Sequence, residues 1–281
     1  MLFISQFFLK YFLFTEFPIQ GRLNTFQFSL LTLATIFIAS GGYIINDIFD
    51  IECDRINKPQ QRFIPKFVSK KAAYRFYALF SFLGICCGSA LSYFVNKPYY
   101  SFIFVGISLL LYLYSAYFQK KILIGNFIIS ILVAANLLLL VFFETENYFQ
   151  SLQGLRYAYS LALFTFLLNF MREMVKDIED INGDYNAGMK TLPILLGTKR
   201  TLKIIGFLGA VSLYFFIRFV IEIDTSVLWK KCVFVCLIVL PFLYFLFRIS
   251  LSKKKEEFHK LSTLLKIILG LGLFYILLIS F

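Results

Sequence analysis

The sequence predicts an all-α protein, a polytopic membrane bundle of about nine transmembrane helices that forms a single domain over residues 1–281. Its composition is the first reason, because 59% of the residues are hydrophobic and only 16% are charged, where a soluble domain has roughly 25% charged residues. The second reason is a recurrence of apolar runs of about 20 residues, the length that crosses a bilayer as a helix. The runs lie near residues 1–17, 26–45, 73–95, 99–117, 122–143, 155–172, 202–221, 229–249 and 262–281.

The first apolar run begins at the start of the sequence and contains no small-residue cleavage site. Because many further runs follow it, we expect residues 1–17 to form a first transmembrane helix and not a signal peptide. An interfacial first helix followed by eight spans is the alternative.

The basic residues are distributed unevenly among the loops. Most of the 28 Lys and Arg residues lie in four segments, at 47–75, around 120, at 172–203 and at 248–260. These segments fall on one side of the membrane if nine spans alternate, and the positive-inside rule places that side and the N-terminus in the cytoplasm. The net charge of +12 therefore orients the protein in its membrane, and we expect no nucleic-acid partner.

Two clusters of carboxylates share one spacing, i, i+3, i+7, which lines one face of a helix. Like charges on one face repel each other unless a cation lies among them. Hard divalent cations such as Mg²⁺ take oxygen ligands and are often bound together with a phosphate. The spacing therefore predicts two Mg²⁺-binding faces with a diphosphate between them. The residues are Asp47, Asp50 and Asp54 in the first cluster, and Asp177, Asp180 and Asp184 in the second.

Two other interpretations of the clusters stay open: solvated helix ends with ordinary salt bridges, and an acidic ring that conducts cations. Basic residues next to the aspartates favour the diphosphate, because cations can bind its free oxygens and stabilise it as a leaving group. The basic candidates are Arg62, Lys66, Lys120, Lys121, Arg172 and Lys176.

Three stretches of the sequence carry a family resemblance. Residues 41–59 have the sequence GGYIINDIFDIECDRINKP, and residues 169–197 have the sequence NFMREMVKDIEDINGDYNAGMKTLPILLG. Between them, residues 114–130 have the sequence YSAYFQKKILIGNFIIS. In this order, the stretches resemble the signatures of the UbiA superfamily of intramembrane prenyltransferases, and the similarity in length and span order extends over the whole chain.

The resemblance implies a nine-helix bundle around a central cavity that opens laterally to lipid. It also implies the site: Mg²⁺ and a prenyl diphosphate bound by the acidic motifs, with basic residues near the diphosphate and glycines at 183 and 188 for close packing or turn geometry. The implied metal ligands are Asn46, Asp47, Asp50, Asp54, Asp177, Asp180 and Asp184, the implied catalytic residues are Asp50, Asp54, Asp180 and Asp184, and the implied diphosphate-binding residues are Asn46, Lys120, Lys121, Arg172 and Lys176.

The reaction that the resemblance implies is the transfer of a polyprenyl group from its diphosphate to an acceptor. The sequences of both signatures are most similar to those of the geranylgeranylglycerol-phosphate geranylgeranyltransferase branch. This similarity favours a geranylgeranyl donor and a lipid phosphate acceptor. An aromatic acceptor such as 4-hydroxybenzoate is the alternative, and a non-enzymatic protein that binds Mg²⁺ or membrane lipids is a third possibility. Aromatic rings could stabilise a carbocation or anchor the chain at the membrane edge; the candidates are Tyr43, Tyr112, Tyr114 and Tyr117.

Overall fold

The computed structural model describes residues 2–16, 23–57, 63–144, 152–222 and 228–279. All regular secondary structure in these ranges is helical, so the predicted all-α fold is confirmed. The helices are α1 (residues 2–16), α2 (Thr25–Phe49), α3 (Ile51–Asn57), α4 (Lys70–Phe94), α5 (Ser101–Ala116), α6 (Ile124–Glu144), α7 (Leu152–Glu179), α8 (Ile181–Asn186), α9 (Leu192–Leu196), α10 (Thr198–Glu222), α11 (Leu228–Leu251) and α12 (Lys255–Ile279).

Seven helices in the described part of the chain are long and apolar enough to cross a membrane: α2, α4, α5 with the turn before it, α6, α10, α11 and α12. Their mean hydropathy lies between 1.5 and 2.5. Helix α7 has 28 residues but carries charged side chains in its last turns, and the apolar part of α1 is shorter than a full span. The predicted multi-spanning membrane protein is confirmed, whereas the predicted number of nine spans is approximate.

Helix α1 is attached to α6 by polar side chains. Lys10 forms an ion pair with the fully buried carboxylate of Glu144, and Gln6 Nε2 donates a hydrogen bond of 3.0 Å to Asn136 Oδ1. Within a membrane bundle such contacts act as links between helices, because lipid offers the polar groups no partner. They fix α1 beside the interior of the bundle.

Helix α7 packs against α6, α10 and α12. Its Phe164 contacts Phe216 of α10 edge to face, with the ring centroids 4.8 Å apart. Phe234 of α11 lies 5.0 Å from the ring of Tyr275 of α12 in a similar arrangement. Edge-to-face aromatic pairs add stabilisation beyond the area they bury. This packing holds α7, whose last turns carry the second acidic motif.

Both acidic motifs interrupt a helix at their middle aspartate. Asp50, with φ −90° and ψ 4°, separates α2 from α3, and Asp180, with φ −99° and ψ 9°, separates α7 from α8. Helical hydrogen bonding continues beyond each break, since Asp54 N donates to Asp50 O at 2.8 Å and Asp184 N donates to Asp180 O at 3.1 Å. The i, i+3, i+7 spacing predicts one helix for each triplet, whereas the structure divides each triplet between a long helix and a short one.

Candidate active site

A polar cavity of about 120 Å³, here called the mouth, lies where the two acidic motifs meet. The short helices α3 and α8 pack against each other beside it. The structure therefore brings together five of the six predicted aspartates. The polar residues that line the mouth are Asn46, Asp50, Asp54, Asn57, Gln119, Asn126, Glu173, Lys176, Asp177, Asp180, Asp184 and Thr191.

Neutral amides orient two carboxylates of the mouth. Asn46 Nδ2 donates to Asp50 Oδ2 at 2.6 Å, and Gln119 Nε2 lies 3.0 Å from both oxygens of Asp50. In the second motif, Asn126 Nδ2 donates to Asp177 Oδ2 at 2.8 Å. Amides of this kind position a carboxylate without neutralising it, as partners of metal ligands commonly do. These amide contacts orient the carboxylates and add no positive charge to the mouth.

The two motifs are joined by the side chain of Asn57. Its Oδ1 accepts a hydrogen bond from the backbone N–H of Gly183 at 3.1 Å, and its Nδ2 donates to the backbone oxygen of Asp180 at 3.1 Å. A Cβ atom at position 183 would overlap the Asn57 amide, which explains why a glycine is needed there. Gly188, which follows α8, has φ +69°, a conformation that favours glycine.

Cys53 of α3 contacts the last aspartate of the second motif. Its thiol donates to Asp184 Oδ1 at 3.2 Å, and both side chains are buried. Burial, and to a smaller extent the charge of Asp184, raise the pKa of the Cys53 thiol well above its ordinary value. The thiol therefore stays protonated and acts as a hydrogen-bond donor at neutral pH.

Of two predicted cations, Lys176 lines the mouth, and Arg172, one helical turn earlier, lines the adjoining cavity described below. Both form salt bridges with Glu173: Arg172 Nη1 is 2.7 Å from its Oε1, and Lys176 Nζ is 3.0 Å from its Oε2. The Nε atom of Arg172 is buried and meets no acceptor among the described residues. A buried donor without an acceptor is costly, and a phosphate oxygen is a suitable partner for it.

Other predicted site residues lie outside the mouth. Asp47 is exposed on α2, and Lys120 and Lys121 are exposed in the turn between α5 and α6. Lys66 is also exposed, and its ammonium lies 5.3 Å from the ring of Phe67. Arg62 is not among the described residues.

A second cavity of about 280 Å³, here called the chamber, adjoins the mouth inside the bundle. Its wall is mostly aliphatic, with residues such as Ile38, Leu111 and Leu139, and it extends to Leu2 of α1. Of the four tyrosine candidates, Tyr43 lines the chamber, Tyr114 lines both cavities, and the other two line neither. The residues common to both cavities are Asn46, Tyr114, Glu173 and Lys176.

The side chains of the mouth fit a hard divalent cation in their chemistry. They supply carboxylate and amide oxygens, and Asn46 Oδ1 is a buried acceptor that no donor in the described ranges reaches. Mg²⁺ is bound by one or two carboxylates together with substrate phosphate and water. Across the described ranges, no group of three or more His, Cys, Asp or Glu side chains stands ready to hold a metal ion. The metal ligands therefore stay a prediction.

Four uncharged residues of the mouth were not predicted from the sequence, namely Gln119, Asn126, Cys53 and Asn57. Gln119 and Asn126 belong to the stretch 114–130, and Cys53 and Asn57 belong to the stretch 41–59, so all four lie within the signatures. Neither charge nor spacing in the sequence indicates the roles of these residues, because each role depends on which carboxylate or backbone group lies next to the side chain in the fold.

The comparison with known families identifies the class of protein. The model of the UbiA prenyltransferase family matches residues 17–267, and the chain therefore belongs to that family. The family predicted from the two signatures is confirmed.

The most similar relatives include proteins named digeranylgeranylglyceryl phosphate synthase. The one from Pyrococcus furiosus is 36% identical over 66% of this chain and 63% of its own length, so that match spans less than two thirds of the relative. The one from Thermococcus gammatolerans is 30% identical over 91% of this chain and 85% of its own length.

Solved structures share the fold. One that is described as a digeranylgeranylglyceryl phosphate synthase in membranes is 28% identical, covers 99% of this chain and 92% of its own, and has a TM-score of 0.69. A UbiA homologue from Archaeoglobus fulgidus, solved bound to GPP and Mg²⁺, is 15% identical, covers 98% of this chain and 94% of its own, and has a TM-score of 0.60.

Proposed function

We propose that the protein transfers a geranylgeranyl group from geranylgeranyl diphosphate to geranylgeranylglyceryl phosphate, in a reaction that depends on Mg²⁺. The carbon–oxygen bond to the diphosphate breaks, and a carbon–oxygen bond forms to a hydroxyl of the acceptor, which loses its proton. The observation that carries this proposal is the direct junction of an acidic mouth with an apolar chamber. The names of the relatives support the acceptor.

The diphosphate is held in the mouth. Mg²⁺ bound there would neutralise the diphosphate oxygens and favour their departure. Asn46, Asp50 and Asp180 line the mouth and would hold the metal, while Lys176 of the mouth and Arg172 of the adjoining chamber bind the diphosphate oxygens that remain. Cations placed where charge develops on the leaving group stabilise the transition state.

The prenyl chain lies in the chamber, which excludes water from the reacting carbon. Because Tyr114 lines both cavities, its ring lies where the first carbon of the chain is expected. The face of an aromatic ring attracts positive charge, so this ring is suited to a carbon that develops carbocation character.

The protein is a multi-pass membrane protein, and we place the N-terminus and the mouth on the cytoplasmic side because the segments that carry the acidic motifs are rich in basic residues, which the positive-inside rule assigns to the cytoplasm. An epitope inserted between Lys97 and Pro98 should be accessible from outside intact spheroplasts, and an epitope in the 63–69 segment should not. The reverse pattern would contradict this orientation.

The acceptor is tested by incubating the purified protein with radiolabelled geranylgeranyl diphosphate, Mg²⁺ and either geranylgeranylglyceryl phosphate or 4-hydroxybenzoate. We expect labelled product with the lipid phosphate only, and none after chelation of the metal. Prenylation of the aromatic compound alone would refute the proposed acceptor. Absence of transfer to either acceptor would favour a non-enzymatic, lipid-binding role.

A further inference from the structure

The short helix α8 is not capped by the residue at its own N-terminus. Asp180 occupies the N-cap position, and aspartate is among the residues that most often cap a helix with their own side chain. In this structure the Asp180 side chain makes no capping hydrogen bond. The N–H of Gly183, the third residue of α8, donates instead to Oδ1 of Asn57.

The capping group therefore comes from the other motif. Asn57 is the last residue of α3, and its Nδ2 also donates to the Asp180 backbone oxygen and lies 3.3 Å from Cys53 Sγ. The Cys53 thiol in turn donates to Asp184. One amide thus fixes the start of α8 against α3 through both of its polar atoms.

This arrangement has a consequence for the Asp180 carboxylate. The carboxylate lines the mouth, is 16% exposed, and has an oxygen 3.9 Å from Lys255 Nζ. If it capped its own helix, it would lie over the N–H groups at the start of α8 and would be withdrawn from the cavity.

We propose that Asn57 is a positioning residue: by capping α8 in place of Asp180, it keeps the Asp180 carboxylate in the mouth, where Mg²⁺ and the diphosphate are expected to bind. The inference rests on the proposed function, since it takes the mouth to be the site of both ligands. When the Asn57 amide is removed, the Gly183 N–H loses its acceptor, and the carboxylate at the N-cap position is the side chain best placed to replace it.

The inference is tested by metal binding, which does not depend on turnover. Mn²⁺ replaces Mg²⁺ and is followed by paramagnetic resonance in the purified full-length protein with geranylgeranyl thiodiphosphate. We expect Asn57→Ala to weaken Mn²⁺ binding by about 10-fold, as for other groups that orient metal ligands. Asn186→Ala is the matched control, because Asn186 is an exposed residue of α8 whose amide donates to Asn182 O. We expect it to bind Mn²⁺ as the wild type does.

A double-mutant cycle separates positioning from a merely structural role. In an Asp180→Ala background, Asn57→Ala should cause no further loss of Mn²⁺ binding, since the carboxylate through which it acts is already absent. If the alanine protein does not fold, Asn57→Ser, whose hydroxyl is shorter than the amide, takes its place in the cycle.

The outcomes are distinct. Unchanged Mn²⁺ binding in Asn57→Ala, or an equal further loss in the Asp180→Ala background, would overturn the role of Asn57. A protein that gives the expected cycle but transfers no geranylgeranyl group would refute the proposed function and leave that role intact. A wild-type protein that binds no Mn²⁺ would overturn both.

Discussion

The two acidic motifs have the same spacing, and each breaks a helix at its middle aspartate, but their surroundings differ. In the first motif, Asp47 is exposed and Asp54 is half-buried. In the second, Asp177 is hydrogen-bonded to Asn126 inside the mouth, and Asp184 is buried beneath Cys53. The two triplets therefore have the same spacing in the sequence, but their side chains lie in different environments. The middle aspartates match most closely, because Asp50 and Asp180 each line the mouth at a break between two helices, and we expect them to carry the largest share of catalysis.

The largest effect should follow from replacing a middle aspartate. For Asp50→Ala, and likewise for Asp180→Ala, we expect the transfer rate to fall by about 10²- to 10³-fold, the cost of removing one group that stabilises transition-state charge. The measurement is the initial rate with labelled geranylgeranyl diphosphate. Glu52→Ala is the control, because Glu52 is an exposed residue of the first motif. If the transfer rate fell strongly in only one of these two variants, the middle aspartates of the two motifs would not be equivalent.

A smaller effect should separate the first aspartates of the two triplets. Asp177→Asn should lower the rate at limiting Mg²⁺ by about 10- to 100-fold, because it changes a carboxylate inside the mouth. Asp47→Asn makes the same chemical change on an exposed residue and should leave the rate near that of the wild type. Rates at several Mg²⁺ concentrations check both. Equal losses in the two variants would mean that the spacing alone determines function.

The cations next to the second motif should contribute less than its carboxylates. Arg172→Gln should raise the KM for geranylgeranyl diphosphate by about 10-fold, the worth of one charge-assisted hydrogen bond. Lys120→Gln should change that KM little, because Lys120 is exposed outside the mouth. A larger effect at Lys120 than at Arg172 would show that the diphosphate binds on the outer turn.

The smallest effect is expected beyond the motifs, in the chamber. Ala39 lines the chamber from α2, and Ala39→Phe should lower the use of geranylgeranyl diphosphate relative to geranyl diphosphate by about 5-fold, since overpacking a cavity costs around 1 kcal/mol or more. Ile36→Phe, on an exposed part of the same helix, is the control. An unchanged ratio would mean that the prenyl chain does not occupy the chamber.

Much of this architecture follows from patterns that a sequence displays directly. Apolar runs predict the long helices, because the bilayer requires every span to be long and apolar. The repeated aspartate spacing predicts that two acidic faces meet. The breaks at Asp50 and Asp180 are not visible in that spacing, because the same residues also fit one continuous helix.

The neutral partners could not be predicted in the same way. Gln119, Asn126 and Asn57 act through groups 69, 51 and 126 residues away in the chain. Such contacts depend on tertiary packing, which the spacing of residues along the sequence does not predict. Conversely, Lys120 and Lys121 were predicted from their charge to bind the diphosphate, but they lie on the exposed turn. Charge alone does not indicate which side of a helix end faces the cavity.

The most direct test of the whole account is a structure of this protein with geranylgeranyl thiodiphosphate and Mn²⁺, with the metal located by its anomalous signal. The account predicts metal and diphosphate in the mouth, between Asp50 and Asp180, with the prenyl chain in the chamber beyond Tyr114. Diphosphate bound on the exposed turn at Lys120 and Lys121, with the chamber empty, would contradict it.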